Sequence, residues 1–283
     1  MKRDAAHPGR LLAMLGLAPR KGLGQTFLHD RNIARKIVSL AVEMGPPFLE
    51  IGPGLGALTG LLAEQKRETV AVEVDRGLAA YLRERFEGAS VKIVEADFLA
   101  LPDGNFSRWF PAGGTVLGNL PYSISSPILI RLLELRELLP RAILMLQKEV
   151  VDRICAPQGG KEYGVLSVYL SALAETREEF TVRRTCFTPS PDVDSAVISV
   201  RFRPGISDEI VRALQKVVRA AFAQRRKTLR NAPVPFLAGG TQQWCDLLTG
   251  AGIDPSVRAE TITPERYLQL AAGFHETAGP AGK

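Results

Sequence analysis

The chain of 283 residues is poor in cysteine, histidine and tryptophan, and it has no long apolar run. Its three cysteines, Cys155, Cys186 and Cys245, are odd in number and form no C-x-x-C pair. That argues against a disulfide framework and against a zinc site. None of its three histidines stands beside the strand-end residues described below, so no histidine general base suggests itself. No apolar stretch approaches the roughly 18 residues of a membrane span. The nearest thing to a targeting sequence is LLAMLGLA (11–18), downstream of Lys2 and Arg3. It is short, preceded by Pro8-Gly9 and followed by Arg20-Lys21 without a cleavage site. It therefore reads as a helix capping the fold of a cytoplasmic protein with no membrane partner. No internal repeat is visible.

What is present is an ordinary soluble composition, 46% hydrophobic and 23% charged, at a length suiting one large domain or one domain with a smaller companion. The net charge of +6 is unevenly spread, because residues 1–36 hold eight Lys/Arg against two acids and so account for the whole excess. A localised basic segment suits a polyanionic partner and describes a solvated leader equally well.

Apolar residues recur at helical spacing over 32–44, through Ile33, Ile37, Val38, Leu40 and Ala41, until Gly45-Pro46-Pro47 stops the helix. FLEIG, TVAVEVD, VKIVEADFL, GTVLGNLPY and RAILMLQKEV then read as strands, separated by the helices ALTGLLAEQ, GLAAYLRERF and SSPILIRLLEL. This alternation predicts an α/β fold, a Rossmann-like, mostly parallel sheet with ligands at the carboxyl ends of its strands. Further along, Pro189-Ser190-Pro191 stiffens a loop ahead of an alternating strand over 193–202, and Pro204-Gly205 marks a boundary. A helical region follows, with Asp208 and Glu209 in its first turn. The expected organisation is a basic segment over 1–30, a catalytic domain over 31–205, a small all-helical domain over 206–275 and a tail over 276–283.

The chemistry collects at the strand ends. In FLEIGPGLGALTG, Gly52, Gly54 and Gly56 let a backbone turn approach a ligand closely. Ala57 completes a G-x-G-x-x-A dinucleotide pattern, so a nicotinamide oxidoreductase has to be weighed. Glu50 opposes that reading, since its carboxylate stands where a pyrophosphate would sit, whereas the cationic groups of S-adenosylmethionine accept it. Glu73 ends the next strand, 21 residues after Gly52, where an acid can take both ribose hydroxyls or merely face solvent. The third strand delivers Asp97, placed to accept from an adenine amino group, and Phe98 to flank the ring.

The fourth strand ends in Asn119-Leu120-Pro121-Tyr122. An exocyclic amine on a nucleobase is a poor nucleophile because its lone pair is delocalised into the ring. Two acceptors, the Asn119 side-chain oxygen and the Leu120 carbonyl, would orient such an amine. Pro121 has no N–H and holds Leu120 extended, and Tyr122 would stack on the base. No strong base is required if the proton leaves after methyl transfer, and positioning supplies most of the acceleration.

The motifs GLGQTFLHD, EIGPGLGALT, VEVD, EADFL, GNLPYSIS, FTPSPDVDSAV and FAQRRKTLRN occur here in one order. In that order the chain resembles the rRNA adenine N6,N6-dimethyltransferases of the KsgA/RsmA type over about residues 20–270. The resemblance implies a class I methyltransferase fold, S-adenosylmethionine as donor and no metal. It further implies dimethylation of two adjacent adenosines in the 3′-terminal hairpin of 16S rRNA, within a pre-30S particle, by a monomer. It assigns Gln25, Thr26 and Leu28 to the methionine end of the donor, although the family usually has Asn where this chain has Thr26. Gly52, Glu73, Asp97 and Asn119 become the remaining cofactor residues. Asn119, Leu120 and Tyr122 hold the target base, and Phe187 stacks on its other face. A phenylalanine at 187 suits core packing equally well.

Wound on a single helix at 100° per residue, the segment 207–231 separates an apolar side from Arg212, Lys216, Arg219, Arg226 and Arg230. No acid interrupts that stripe after Glu209, which suits RNA phosphates, although a solvated face also fits. Two further readings compete. One is a 23S rRNA adenine N6-methyltransferase of the macrolide-resistance type, which shares the Gly-rich turn and Asn-x-Pro-Tyr. The other is a non-catalytic RNA-binding assembly factor.

Overall fold

Short apolar runs punctuated by glycine become strands, and the amphipathic segments between them become helices. The computed structural model describes residues 7–278, so residues 1–6 of the basic segment and 279–283 of the tail lie outside the described residues. The strands are β1 Phe27–Leu28, β2 Phe48–Ile51, β3 Thr69–Glu73, β4 Val91–Glu95, β5 Thr115–Asn119, β6 Arg141–Gln147, β7 Ala174–Val182, β8 Phe187–Thr188 and β9 Ser195–Phe202. The longer helices are α1 Pro8–Met14, α2 Arg31–Met44, α3 Ala57–Glu64, α4 Arg76–Arg85, α5 Asp103–Trp109 and α6 Ser125–Glu134. After them come α7 Lys148–Ile154, α8 Val165–Leu173, α9 Asp208–Phe222, α10 Gly240–Gly250 and α11 Pro264–Ala278.

Seven strands form one sheet in the order β4-β3-β2-β5-β6-β9-β7. Pairing is parallel from β4 to β6, and β9 runs antiparallel to β6. The Rossmann-like architecture expected from the alternating pattern is thus present. The chain builds outward from β2 through β3 to β4 and then returns to lay β5 on the other side of β2. That reversal opens a crevice at the carboxyl ends of β2 and β5. The close fit of those two strands depends on Gly118. A Cβ there would lie 2.7 Å from the Ile51 carbonyl oxygen, nearer than any real Cβ sits.

Caps define where helices begin. Asp30 accepts from the amides of Asn32 (2.8 Å) and Ile33 (3.1 Å) to start α2. Asp75 does the same for α4 with Gly77 (2.9 Å) and Leu78 (3.1 Å). The run 11–18 is helical only as far as Met14, because Gly16 turns the chain at φ +66°. Leu11 and Leu12 pack with Phe27, Leu55, Leu78 and Phe86, so this helix does cap the core.

The chain forms two compact units. One contains the described residues as far as Val151 together with Arg177–Phe202, and the other contains Asp152–Thr176 and the described residues from Arg203 onward. The helical unit therefore includes residues 152–176, ahead of the boundary expected near 205. Within it, the Tyr169 hydroxyl donates to the Gln215 carbonyl (3.0 Å), Tyr267 to Ala259 (2.9 Å) and the Trp244 indole to Leu229 (2.9 Å). A single helix over 207–231 does not form. Helix α9 ends at Phe222, because the next position on its buried face, one heptad after Val218, is Arg225 rather than an apolar residue. Arg225 instead reaches Glu260 (3.2 Å) and the carbonyls of Tyr163 and Lys161.

Gly118→Ala is expected to destabilise the chain by about 1–3 kcal/mol through overpacking between β2 and β5. Thermal unfolding followed by circular dichroism measures this, and an unchanged melting temperature would show that the Ile51 carbonyl yields freely.

Candidate active site

A cleft of about 980 Å³, including its open mouth, lies at the strand-order reversal. Its walls come from the ends of β2 to β5, from the turn 52–57 and from the segment 23–28. Gln25, Thr26, Leu28, Glu50, Gly52, Gly54, Glu73, Asp97, Phe98 and Asn119 all line it, so distant stretches of sequence share one surface. The Gly-rich turn works as three positive-φ positions, at +67° for Gly52, +57° for Gly54 and +78° for Gly56. A Cβ on Gly52 would meet no protein atom within 4 Å, whereas one on Gly54 would press on the Phe27 ring at 3.1 Å.

Glu73 is buried, and its two oxygens accept from Gly54 N (3.0 Å) and Asp75 N (2.9 Å). Each oxygen keeps a lone pair for a further donor such as a ribose hydroxyl. Burial pushes its carboxyl above the ordinary range, and those backbone amides pull partly back. Glu50 is more extreme. It is 2% exposed and accepts from the Thr59 hydroxyl at 2.6 Å. Burial, with Glu73 nearby, pushes its carboxyl up to about 8 despite that bond. A pyrophosphate beside it would disfavour the ionised form further, while a ligand bringing positive charge favours it. Asp97 is exposed and uses Oδ1 to accept from Leu99 N (2.9 Å), capping the short turn Phe98–Ala100. That cap is why β4 stops at Glu95 and does not run on through Asp97. Phe98 is buried edge-on to Phe106, with ring centroids 5.6 Å apart.

Asn119 donates from Nδ2 to the Thr26 carbonyl at 3.0 Å. A carbonyl can only accept, so this bond dictates which end of the amide faces away from it. The other end, Oδ1, is buried and has no hydrogen-bond partner among the described residues. The bond uses the backbone of Thr26, so the departure from the family's Asn at that position leaves it intact. Leu120 is buried, and its amide donates to Met145 O at 3.0 Å. Pro121 lines the cleft, as does the exposed Ile124. Tyr122 is half-buried, with its hydroxyl 2.9 Å from Ser195 Oγ. Burial raises its phenol above the ordinary value, so the ring is neutral.

Phe187 is placed differently from the stacking role that the resemblance implied. Pairing of β1 with β8 sets it opposite Leu28, and at 3% exposure it packs in the core with Ile37, Val38 and Val182. It does not line the cleft. The basic stripe is also shorter than a single helix would make it. Arg212, Lys216 and Arg219 share the exposed face of α9, whereas Arg226 follows the helix and Arg230 sits in the short turn Leu229–Asn231.

Residue-by-residue reading missed Asp75, Thr59 and Ser195. Asp75 carried a signal, since an Asp directly before a helical pattern is an N-cap. Thr59 and Ser195 carried none, because their partners lie 9 and 73 residues away.

The fold and this cleft define a Rossmann-like methyltransferase, with Asn119 and Pro121 of the Asn-Leu-Pro-Tyr loop in the cleft wall. The family described as ribosomal RNA adenine dimethylase matches residues 16–276, and the chain belongs to it. The ribosomal RNA small subunit methyltransferase A of Geobacter sulfurreducens is 42% identical over 276 residues, covering 93% of this chain and 98% of its own length. Its namesake from Magnetococcus marinus is 39% identical over 282 residues, covering 97% of this chain and 100% of its own. Among solved structures, a dimethyladenosine transferase from Plasmodium falciparum aligns with a TM-score of 0.72 at 24% identity, over 88% of this chain and 98% of that one. The 23S rRNA methyltransferase ErmE aligns at 0.61 with 28% identity, over 87% and 98%.

The Glu50 carboxyl makes stability depend on pH. In the folded chain it keeps its proton to about 8, against an ordinary value of 4.5, so the folded state holds more protons between those limits. Its contribution is therefore fully present below the ordinary value and is lost as pH rises through the folded one. Glu50→Gln keeps an acceptor for Thr59 and cannot ionise. Thermal unfolding across this range should show the parent losing stability with pH relative to the variant, and parallel curves would contradict the assignment.

Proposed function

We propose that this chain transfers methyl groups from S-adenosylmethionine to N6 of two adjacent adenosines in the 3′-terminal hairpin of 16S rRNA. The substrate is a pre-30S particle, the enzyme acts as a monomer in the cytoplasm, and no metal takes part. The observation that carries this reading is the buried, unpartnered Oδ1 of Asn119, a residue that lines the cleft. A buried acceptor without a donor costs about 1–3 kcal/mol, so its retention calls for a donor that arrives with substrate. An adenine N6 amino group is such a donor.

The cofactor supplies an electrophilic methyl group on a sulfonium. Glu73 has lone pairs for the ribose, Asp97 a free oxygen for the adenine amine and Phe98 an apolar flank. Glu50, made acidic again by a neighbouring cation, answers the positive charge of the methionine end. On the acceptor side Asn119 Oδ1 and the Leu120 carbonyl orient the target N6. Tyr122, held by Ser195, supplies a ring for an adenosine turned out of its stack. Its neutral phenol takes no proton, and the amine's proton leaves to solvent after transfer. In the helical unit, Arg212, Lys216 and Arg219, with Arg226 and Arg230, suit RNA phosphates. No helix among the described residues is long and apolar enough to cross a membrane.

The reading of a 23S rRNA methyltransferase draws support from the likeness to ErmE. Two relatives that match nearly end to end at 39% and 42% identity, each named a small subunit methyltransferase, favour 16S rRNA. Mass spectrometry of rRNA after incubating undermethylated 30S particles and 23S fragments with protein and donor tests the proposal. Dimethyladenosine in 16S rRNA alone is expected, and modification of the 23S fragment alone would overturn it.

Asn119→Ala should abolish turnover while leaving the melting temperature within a few degrees of the parent. Full dimethylation by that variant would remove Asn119 from its role. Neutralising Arg219, Arg226 and Arg230 should weaken binding to the rRNA hairpin and flatten its salt dependence. Filter binding across a salt series measures both, and an unchanged slope would contradict phosphate contact.

A further inference from the structure

The Asp75 side chain has no role above beyond capping α4, yet it is only 3% exposed. Its two oxygens divide the work. Oδ1 caps α4 through the amides of Gly77 (2.9 Å) and Leu78 (3.1 Å). Oδ2 faces the N-terminal segment, where it meets Arg20 Nε at 3.1 Å and Gln25 Nε2 at 3.4 Å. Gln25 is bound at its other end too, since Oε1 accepts from the Arg20 amide at 2.9 Å. Leu17 seats the same segment on α4, lying so close that a Cβ on Gly77 would come within 2.6 Å of it.

From this anchor the chain crosses the cleft to the acceptor loop. Residues 23–28 form one wall of the cleft. Gly24, at φ +59°, lies against the acceptor loop, where its Cβ would meet Ser123 Oγ at 3.6 Å and Pro121 at 3.7 Å. One residue past Gln25, the Thr26 carbonyl receives the Asn119 amide. A continuous line of contacts thus runs from Asp75 Oδ2 through Gln25 and Thr26 to the buried oxygen of Asn119.

We propose that Asp75 is a positioning residue for methyl transfer, latching the segment 20–26 across the cleft so that one carboxylate oxygen sets both the cofactor wall and the Asn119 amide. The inference rests on the reading that the cleft holds S-adenosylmethionine and that Asn119 receives the target amine. A latch suits the reaction. Each dimethylated adenosine consumes two donor molecules in succession, so the cofactor must be exchanged between transfers. The other walls are strand ends and a turn packed on the core. The stretch 20–25 of this wall, with Gly22 and Gly24, belongs to no strand or long helix and is tied down by the polar contacts of Asp75.

Asp75→Asn separates the two jobs of the side chain. The amide oxygen still caps α4, while the NH₂ group meets the donors of Arg20 and Gln25 and cannot accept from them. Arg20→Ala weakens the same latch from its exposed end without touching the cleft. In the full-length protein, the affinity and release rate of S-adenosylmethionine are measured by calorimetry and stopped flow, and turnover and the ratio of mono- to dimethyladenosine on undermethylated 30S particles.

Asp75→Asn should bind the donor about tenfold more weakly, chiefly through faster release. Turnover should fall, the product should shift towards monomethyladenosine, and the melting temperature should stay close to the parent's. Arg20→Ala should move the same quantities less far. A purely structural Asp75 would lower the melting temperature and leave donor affinity and product ratio unchanged in the folded fraction, and that result overturns the proposal. If Asp75→Asn does not fold, Arg20→Ala decides alone, and unchanged release and product ratio overturn it equally. Failure of the parent protein itself to bind the donor would overturn the cofactor reading instead.

Discussion

The hydrogen bond from Asn119 Nδ2 to the Thr26 carbonyl is the contact on which the acceptor side of the site depends. It spends the amide's donor on a backbone group that can do nothing but accept, and so turns Oδ1, buried and without a partner among the described residues, away from that carbonyl. Reverse the amide and two oxygens would face each other. The bond also joins two parts of the chain that share no element. One is the end of β5, and the other is the segment leading into β1. The cleft wall over 23–28 and the Asn-Leu-Pro-Tyr loop are therefore joined directly.

The electrostatics follow from where the strands end. Glu50 and Glu73 stand at the ends of neighbouring parallel strands, paired at Glu50↔Ala71 and Ile51↔Val72, and both are buried. Burial raises both above the ordinary carboxyl range, and positive charge beside them favours their ionised forms where negative charge opposes it. Thr59 and the backbone amides of Gly54 and Asp75 keep the carboxyl groups oriented.

Much of the site was legible because its residues act where they stand in the pattern. Glu73 and Asn119 end strands, Gly52 and Asp97 closely follow them, and a parallel sheet brings strand ends together whatever the loops between them do. The family motifs added Gln25, Thr26 and Leu28, which line the cleft although no local pattern marks them. Phe187 was legible as a core residue, and the stacking role came only from the resemblance. A two-residue pairing between β1 and β8 turns its ring into the core, and a pairing across 160 residues leaves no local trace. Arg226 and Arg230 fell off the expected stripe because periodicity shows which face is apolar and says little about where a helix must stop. The helical unit gained residues 152–176 for a similar reason, since compactness depends on contacts and not on order along the chain.

Strand and helix alternation, the glycines of the turn, the acids at strand ends and the membership of a family were properties of the sequence alone. They are local, or carried by motifs in order, and need no knowledge of what touches what. Tertiary structure decided that the Asn119 amide donates to the Thr26 carbonyl, that burial pushes the Glu50 carboxyl up to about 8, and that Asp75 divides its oxygens between a helix cap and contacts with Arg20 and Gln25. Each of these rests on burial and on partners remote in sequence, and both exist only once the chain has folded.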